Sequence, residues 1–321
     1  MKRSASGLCG VLAIDKPYGI TSHDVVNRVR RITGERRVGH AGTLDPAATG
    51  LMLVGVGAAT RLSEYLTGHD KEYDARIVFG ASTDTDDAQG RVLDMERICV
   101  PDESLLANPE QVLAEFTGEL EQMPPAYSAI KKNGVVAYKA AREGTCIELE
   151  ARPVTVYEAR LNAAGTTHVE LSGPQGEALV HELPYWDVHF HVSKGTYIRA
   201  LARDIGAYLG CGAFLGALRR TAVAGTDIEC ACTIDKLEAQ ALSAEPFVWC
   251  DPAALLGFPI IELDDYQAQH VANGRELECA ESASDGFISC VKDDKLLAVY
   301  RAHNGHVKPA TVIPGGVSGV A

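Results

Sequence analysis

The period at which apolar residues recur changes along the chain, and each change marks an element. Residues 10–15 (Gly-Val-Leu-Ala-Ile-Asp) are a short apolar run closed by Pro17 and Gly19, which predicts a strand and a turn. Thr21-Ser22-His23-Asp24 offers helix-capping chemistry. Val25, Val26, Val29 and Ile32 then repeat at helical spacing up to Gly34, with Arg28, Arg30 and Arg31 on the other faces. Residues 38–50 hold three glycines and a proline and read as a loop, which enters the continuously apolar, buried strand of residues 51–57.

Further on, the pattern predicts a short helix at 62–66, a half-exposed strand at 71–80 with Tyr73 near its start, and a helix around 113–116. A proline-fixed extended segment follows at 123–129, then a helix at 136–142 and strands at 154–161, 178–183 and 186–192. A helix at 200–209 is closed by Gly210-Cys211-Gly212. Beyond Asp251, short apolar pieces alternate with Gly, Asn and Asp turns, the pattern of a small β-barrel or sandwich. Helices and strands alternate irregularly, which points to an α+β fold rather than a doubly wound one. With 321 residues, one large domain over 1–250 and a small one over 251–321 are expected.

Apolar residues make up 46% and charged ones 23%, which excludes an intrinsically disordered chain. The first apolar run is cut off by Asp15 and Lys16, so neither a signal segment nor a membrane span is expected, and the protein reads as soluble and cytoplasmic. Nine cysteines without a CxxC pair read as reduced structural thiols, and Cys230 and Cys232 lack the further ligands that zinc needs. The net charge of −13 argues at first against nucleic acid, but it is unevenly distributed. Residues 1–61 carry +5 and residues 194–220 carry +4, whereas 84–121 carry −9 and 251–321 carry −5. Charge alone leaves two readings open: chance clustering on solvated faces, or a phosphate-binding cleft on an acidic body.

Asp45 sits in the glycine-rich loop with His40 and Thr43 nearby. It is either a turn former or a carboxylate nucleophile displayed on a rigid anchor, with Arg199 or Arg61 as the cation that keeps it ionised. Tyr73 and Tyr197 combine a ring that can stack on a base with a phenol that can move a proton. Other motifs carry less. Gly55-Val56-Gly57 lacks the rest of a dinucleotide fingerprint, Asp84 to Gly90 lacks the ligand pattern of a calcium loop, and His189 with His191 reads as a solvated strand face.

The loop Gly39-His40-Ala41-Gly42-Thr43-Leu44-Asp45-Pro46-Ala47-Ala48-Thr49-Gly50 closely resembles the signature of pseudouridine synthases of the bacterial TruB type. Asp15 to Ser22, Lys71-Glu72-Tyr73, Pro125 to Lys131, Arg152 to Tyr157, Ser193 to Arg199 and Leu218 to Thr221 resemble further family segments in the same order, over residues 11 to about 225. The resemblance implies a catalytic domain with a mixed β-sheet and flanking helices, an RNA-clasping thumb at about 121–150 (Tyr127, Lys131, Lys132, Lys139, Arg142), and a PUA-like domain from 251. It implies isomerisation of a uridine at position 55 in the T loop of tRNA, by a monomer without metal, cofactor or protein partner. Asp45 would be the nucleophile, Tyr73 would stack on the uracil and accept the proton, and Arg199 would pair with Asp45. Tyr197 and Leu218 would line the pocket and His40 would fill the space left by flipped bases, with Lys16, Arg36, Arg37, Lys131 and Lys194 as further substrate contacts. Residues 163–185 lengthen what is usually a tight hairpin. A non-catalytic RNA chaperone and a glycosidase-like hydrolase are the rival readings. The set Asp45, Tyr73, Tyr197 and Arg199 opposes the first, and the lack of a partner carboxylic acid opposes the second.

Overall fold

A computed structural model describes residues 6–94, 98, 103–128, 130–132, 135–136, 149–173, 175–277, 285–304 and 306–318. The elements in chain order are β1 (Gly10–Lys16), α1 (Ser22–Thr33), β2 (Val38–Ala41), β3 (Ala48–Val56), α2 (Ser63–Thr67), β4 (Lys71–Phe79), α3 (Glu103–Leu106), α4 (Pro109–Glu115) and β5 (Gly118–Gln122). They continue with β6 (Lys131–Lys132), β7 (Val135–Val136), β8 (Arg152–Ser172), β9 (Ala178–Val192), α5 (Ile198–Tyr208), β10 (Ala213–Val223), β11 (Thr226–Asp227), β12 (Cys232–Thr233) and α6 (Ile234–Ser243). Last come α7 (Pro252–Leu256), β13 (Ile260–Glu262), α8 (Asp265–Ala272), β14 (Gly286–Lys292), β15 (Lys295–His303) and β16 (His306–Ser318). The fold is α+β. It divides into two compact units, residues 1–69 with 222–321, and residues 70–221.

In the first unit β1 runs antiparallel to β3 from Gly10↔Val56 to Lys16↔Gly50 and parallel to β12 at Ile14↔Cys232. Strand β2 takes the other edge of β3, pairing His40 with Val54. Both faces of β1 are covered, as its unbroken apolar run requires. Leu12, Ile14, Met52 and Val54 pack with Val25, Val26 and Val29 of α1 and with Ile234 and Leu237 of α6. Val11, Ala13, Leu51 and Leu53 pack with Leu62, Leu66, Leu255, Leu256, Val299, Ile313 and Val317. Each fully buried aliphatic side chain of this kind stabilises the fold by roughly 1.5–3 kcal/mol. Helix α1 starts at a capping box, in which Thr21 accepts from the Asp24 N–H and Asp24 accepts from the Thr21 N–H. It ends at Gly34 in the left-handed conformation, with Arg30 and Arg31 complementing the last turn. The sheet β13-β14-β15-β16 has a second core on its other face, around Val271, Ile288, Cys290, Ala298 and Tyr300. Helices α7 and α8 stand among these strands, where short apolar pieces alone predict only strands.

In the second unit the strand order is β10-β4-β9-β8-β5. Strand β4 pairs antiparallel with β9, placing Tyr73 opposite Phe190. Strands β8 and β9 form one long hairpin from Val156↔Val192 to Ser172↔Ala178. The expected break in residues 162–177 is therefore strand up to Ser172. The alternation that marks a strand fails over residues 162–166 because every one of them is exposed, so no face carries an apolar signal. Gly165 lies under the Tyr185 ring, where a Cβ would come within 3.2 Å of the ring atoms. Two more expectations change. Residues 38–41 are strand, which puts His40 on β2 rather than in a loop, and Val136 belongs to β7, not to a helix. The rest of the expected helix, with Lys139 and Arg142 of the expected thumb, lies outside the described residues.

Candidate active site

Asp45 follows β2 on a loop held from both sides. On one side Ser22, 3% exposed and first in α1, clasps the backbone of Leu44: the Leu44 N–H donates to Ser22 Oγ at 2.9 Å, and Ser22 Oγ donates to the Leu44 carbonyl at 2.9 Å. On the other side the Pro46 carbonyl accepts from the Gly19 N–H at 2.9 Å and from Lys16 Nζ at 3.3 Å. Gly19 has φ +87°, a left-handed conformation that glycine adopts without strain. A turn closes behind the aspartate, with the Ala48 N–H donating to the Asp45 carbonyl at 3.0 Å. Asp45 itself is half-buried. The side chain thus projects from a backbone fixed at the preceding and following residues, the arrangement that a nucleophile needs to avoid reorganisation cost.

Lys16, expected among the substrate contacts, has another position. It is 0% exposed, and its ammonium donates to the carbonyls of Pro17 at 3.0 Å, Ile20 at 2.8 Å and Pro46 at 3.3 Å. It anchors the loop and is not placed for a surface phosphate. Arg36 and Arg37 are exposed, and their backbone N–H groups donate to Glu35 Oε1 at 2.9 and 3.2 Å. Burial opposes the Glu35 charge. The N–H groups of Arg37, Arg36 and Gly7 with the Ser6 hydroxyl outweigh it, so the carboxyl sits below its usual range and stays ionised as the hinge beneath the two arginines.

Ser22 gives the first prediction. Its oxygen satisfies a buried donor and a buried acceptor, so Ser22→Ala should lower the unfolding free energy by about 1–3 kcal/mol. Urea unfolding should show an earlier midpoint at unchanged slope; an unmoved midpoint would mean that the clasp carries no free energy.

In the second unit, Tyr73 lies on the covered face of β4, 7% exposed. Tyr197 caps α5, and its backbone is held at both ends by Gln122: the Tyr197 N–H donates to Oε1 at 2.8 Å and Nε2 donates to the Tyr197 carbonyl at 3.1 Å. Arg199, in the first turn of α5 and 6% exposed, donates to the carbonyls of Thr85 and Tyr127, both at 2.9 Å, with its Nε 3.8 Å from Asp87 Oδ2. One turn on, Arg203 reaches Asp86 at 3.0 Å, Asp204 at 2.9 Å and the Met123 carbonyl at 2.8 Å. Burial raises the Asp86 carboxyl above its ordinary value against the pull of Arg203 and Arg199. The loop carrying Asp86 and Asp87 is tied to β10, Leu215 N–H donating to the Asp86 carbonyl at 3.0 Å. Leu218 lies half-buried on β10, Lys194 is exposed after β9, and Lys131 belongs to β6, whose side chains are outside the description.

Ser22, Gln122, Asp87 and Arg203 are absent from the sequence-derived set. Asp87 had a signal: Arg199 and Arg203 stand four apart on one helix face and need a carboxylate partner, which the acidic run 84–87 could supply. Ser22 and Gln122 are common polar residues in capping and strand segments, with no pattern to separate them from solvent-facing ones.

The sequence profile described as TruB family pseudouridylate synthase (N terminal domain) matches residues 30–198, and that of the tRNA pseudouridylate synthase B C-terminal domain matches residues 199–247. The chain belongs to the TruB family of pseudouridine synthases. It is 43% identical over 307 residues to tRNA pseudouridine synthase B of Thermobifida fusca, covering 95% of this chain and 99% of the relative. The protein of the same name from Cutibacterium acnes is 42% identical over 293 residues, 91% of this chain and 92% of the relative. Among solved structures, an archaeal box H/ACA sRNP Nop10-Cbf5 complex matches with TM-score 0.64 at 24% identity, over 95% of this chain and 86% of that one, which is a likeness of fold. As a TruB-family member the chain is an isomerase acting on tRNA.

Proposed function

We propose that this TruB-family protein converts the uridine at position 55, in the T loop of tRNA, to pseudouridine. The observation that carries the reading is the doubly anchored loop at Asp45, inside the segment that matches the family. Asp45 supplies the nucleophile. The N1–C1′ bond breaks, the uracil turns within its pocket, and a C5–C1′ bond forms; the proton on C5 leaves and N1 gains one, so no atom or electron is exchanged with a second substrate. Tyr73 meets the uracil with its ring and takes the C5 proton. Arg199, locked by two carbonyls, supplies the cation that a reacting carboxylate requires. Tyr197 and Leu218 line the pocket. His40 occupies the stack vacated by the flipped nucleotide, which costs a few kcal/mol to extrude. Residues 251–321 are assigned as the PUA-like domain, and 1–250 with the thumb at about 121–150 as the catalytic one.

Incubating the protein with unmodified tRNA and mapping pseudouridine tests this reading against its rivals. Pseudouridine at position 55 supports it, whereas a chaperone leaves uridine unchanged and a hydrolase leaves an abasic site. Arg36 and Arg37, exposed beside the Asp45-bearing unit's β2, are assigned to phosphate contacts. Replacing both by glutamine should weaken tRNA binding and flatten the dependence of log affinity on log salt by roughly 1.4–1.8. An unchanged slope would remove them from the interface.

A further inference from the structure

Gln122 ends β5, which stands at one end of the strand order and pairs Gln122 with Arg152 of β8. The residue is 2% exposed. A buried side-chain amide needs partners for its oxygen and its nitrogen, and here both come from one residue. Tyr197 has φ −104° and ψ 112°, and in such extended backbone the N–H and the carbonyl of a residue point to the same side. The Tyr197 N–H donates to Gln122 Oε1 at 2.8 Å and Gln122 Nε2 donates to the Tyr197 carbonyl at 3.1 Å, as a neighbouring strand would. The same carbonyl accepts from the Leu201 N–H at 3.1 Å and so opens α5, which Tyr197 caps without help from its side chain. The chain leaving β5 is tied to this helix as well. Pro124 and Pro125 have no N–H to give, and the donors come from α5: Arg203 to the Met123 carbonyl at 2.8 Å and Arg199 to the Tyr127 carbonyl at 2.9 Å.

This pairing fixes more than the start of a helix. The rotamers open to a side chain follow from the φ and ψ of its own residue, and for Tyr197 both torsions lie between the two groups that Gln122 holds. Tyr197 carries a ring assigned to the uracil pocket, so an error in its aim reaches the reacting base. Misplacement by about 1 Å costs up to about 10²-fold in rate. We propose that Gln122 is a positioning residue for the isomerisation: through the backbone of Tyr197 it sets the direction in which that ring enters the pocket. Gln122 itself touches no substrate. The proposal rests on the isomerase reading for the reaction that Tyr197 serves.

Single-turnover conversion of tRNA at saturating protein separates this role from a structural one, because a clasp that only stabilises the fold leaves the rate of folded protein unchanged. Gln122→Met is similar in length and lacks the amide. It should bind tRNA within about threefold of the native protein and convert it at least about tenfold more slowly. Gln122→Asn keeps the amide on a stem one methylene shorter, so it reaches at most one of the two groups; it should be slowed as well, and it carries the test if Gln122→Met does not fold. The effect must pass through the ring. In a Tyr197→Leu background, either substitution at Gln122 should therefore cost less than about twofold. A native rate in the folded variants overturns the proposal, as does a loss undiminished in the Tyr197→Leu background or one confined to tRNA affinity. If the native protein forms no pseudouridine, the isomerase reading fails and the positioning role falls with it. If pseudouridine forms and the Gln122 variants keep pace, the positioning role alone fails.

Discussion

Asp45→Asn should retain tRNA affinity within about threefold and lose at least about 10³-fold in single-turnover rate. Asparagine matches aspartate in size and still accepts a hydrogen bond, but it lacks the charge that the proposed nucleophile needs. The loop itself should survive, because its anchors are the backbone of Leu44 and the carbonyl of Pro46 and do not involve the Asp45 side chain. Tritium placed at C5 of the target uridine gives the readout, since only completed isomerisation releases it. Binding measured on the same sample shows whether the RNA still seats. Turnover near that of the native protein would sink the assignment of Asp45 and return it to the turn-former reading.

Lys16→Met should lower the unfolding free energy by about 3 kcal/mol or more. Three carbonyls converge on one ammonium that has no exposed surface, and hydrogen bonds to a charged donor are worth roughly 1.5–3 kcal/mol each, partly offset by the cost of keeping that charge buried. Methionine fills the volume of the stem but leaves the carbonyls of Pro17, Ile20 and Pro46 facing a thioether. Because Pro46 adjoins Asp45, turnover should fall as well, even in the fraction that stays folded. Lys16→Arg should not rescue: a planar guanidinium needs space that a fully enclosed site lacks. Chemical denaturation settles the point, and a loss under about 1 kcal/mol would show that the carbonyls find other donors.

These two residues show how unevenly the sequence reveals its structure. Helix α1 was legible to its last turn, since Thr21, Asp24 and Gly34 are local signals that act locally. The glycine-rich loop was legible as chemistry, but the beginning of β2 within it was hidden, because Gly39 and His40 carry no apolar alternation. Lys16 was expected among the substrate contacts; its burial depends on the loop at Pro46, thirty residues away, and no local pattern announces such a partner. The same holds for the Arg203 contact to the Met123 carbonyl and for the Gln122 clasp on Tyr197. The net charge of −13 misled only as a sum. Asp86 and Asp87 belong to the most acidic stretch and yet stand against Arg203 and Arg199, so part of that acidity holds the arginines of α5 in place.

Residues 1–69 complete their core only with residues 222–321, while residues 70–221 form a unit continuous in sequence. On the ribosome the order of events is therefore fixed. The segment that bears Asp45 emerges first and must wait for Val299, Ile313 and Val317 to cover Val11, Leu51 and Leu53. At about 5–20 residues per second that interval is on the order of ten seconds or more, long enough for the middle of the chain to fold ahead of it. A transcript cut short before β15 yields a protein whose strands flanking the Asp45 loop present bare apolar surface, a target for proteases. The strands made later, β15 and β16, thereby complete the apolar covering on which the strands flanking the Asp45 loop rest.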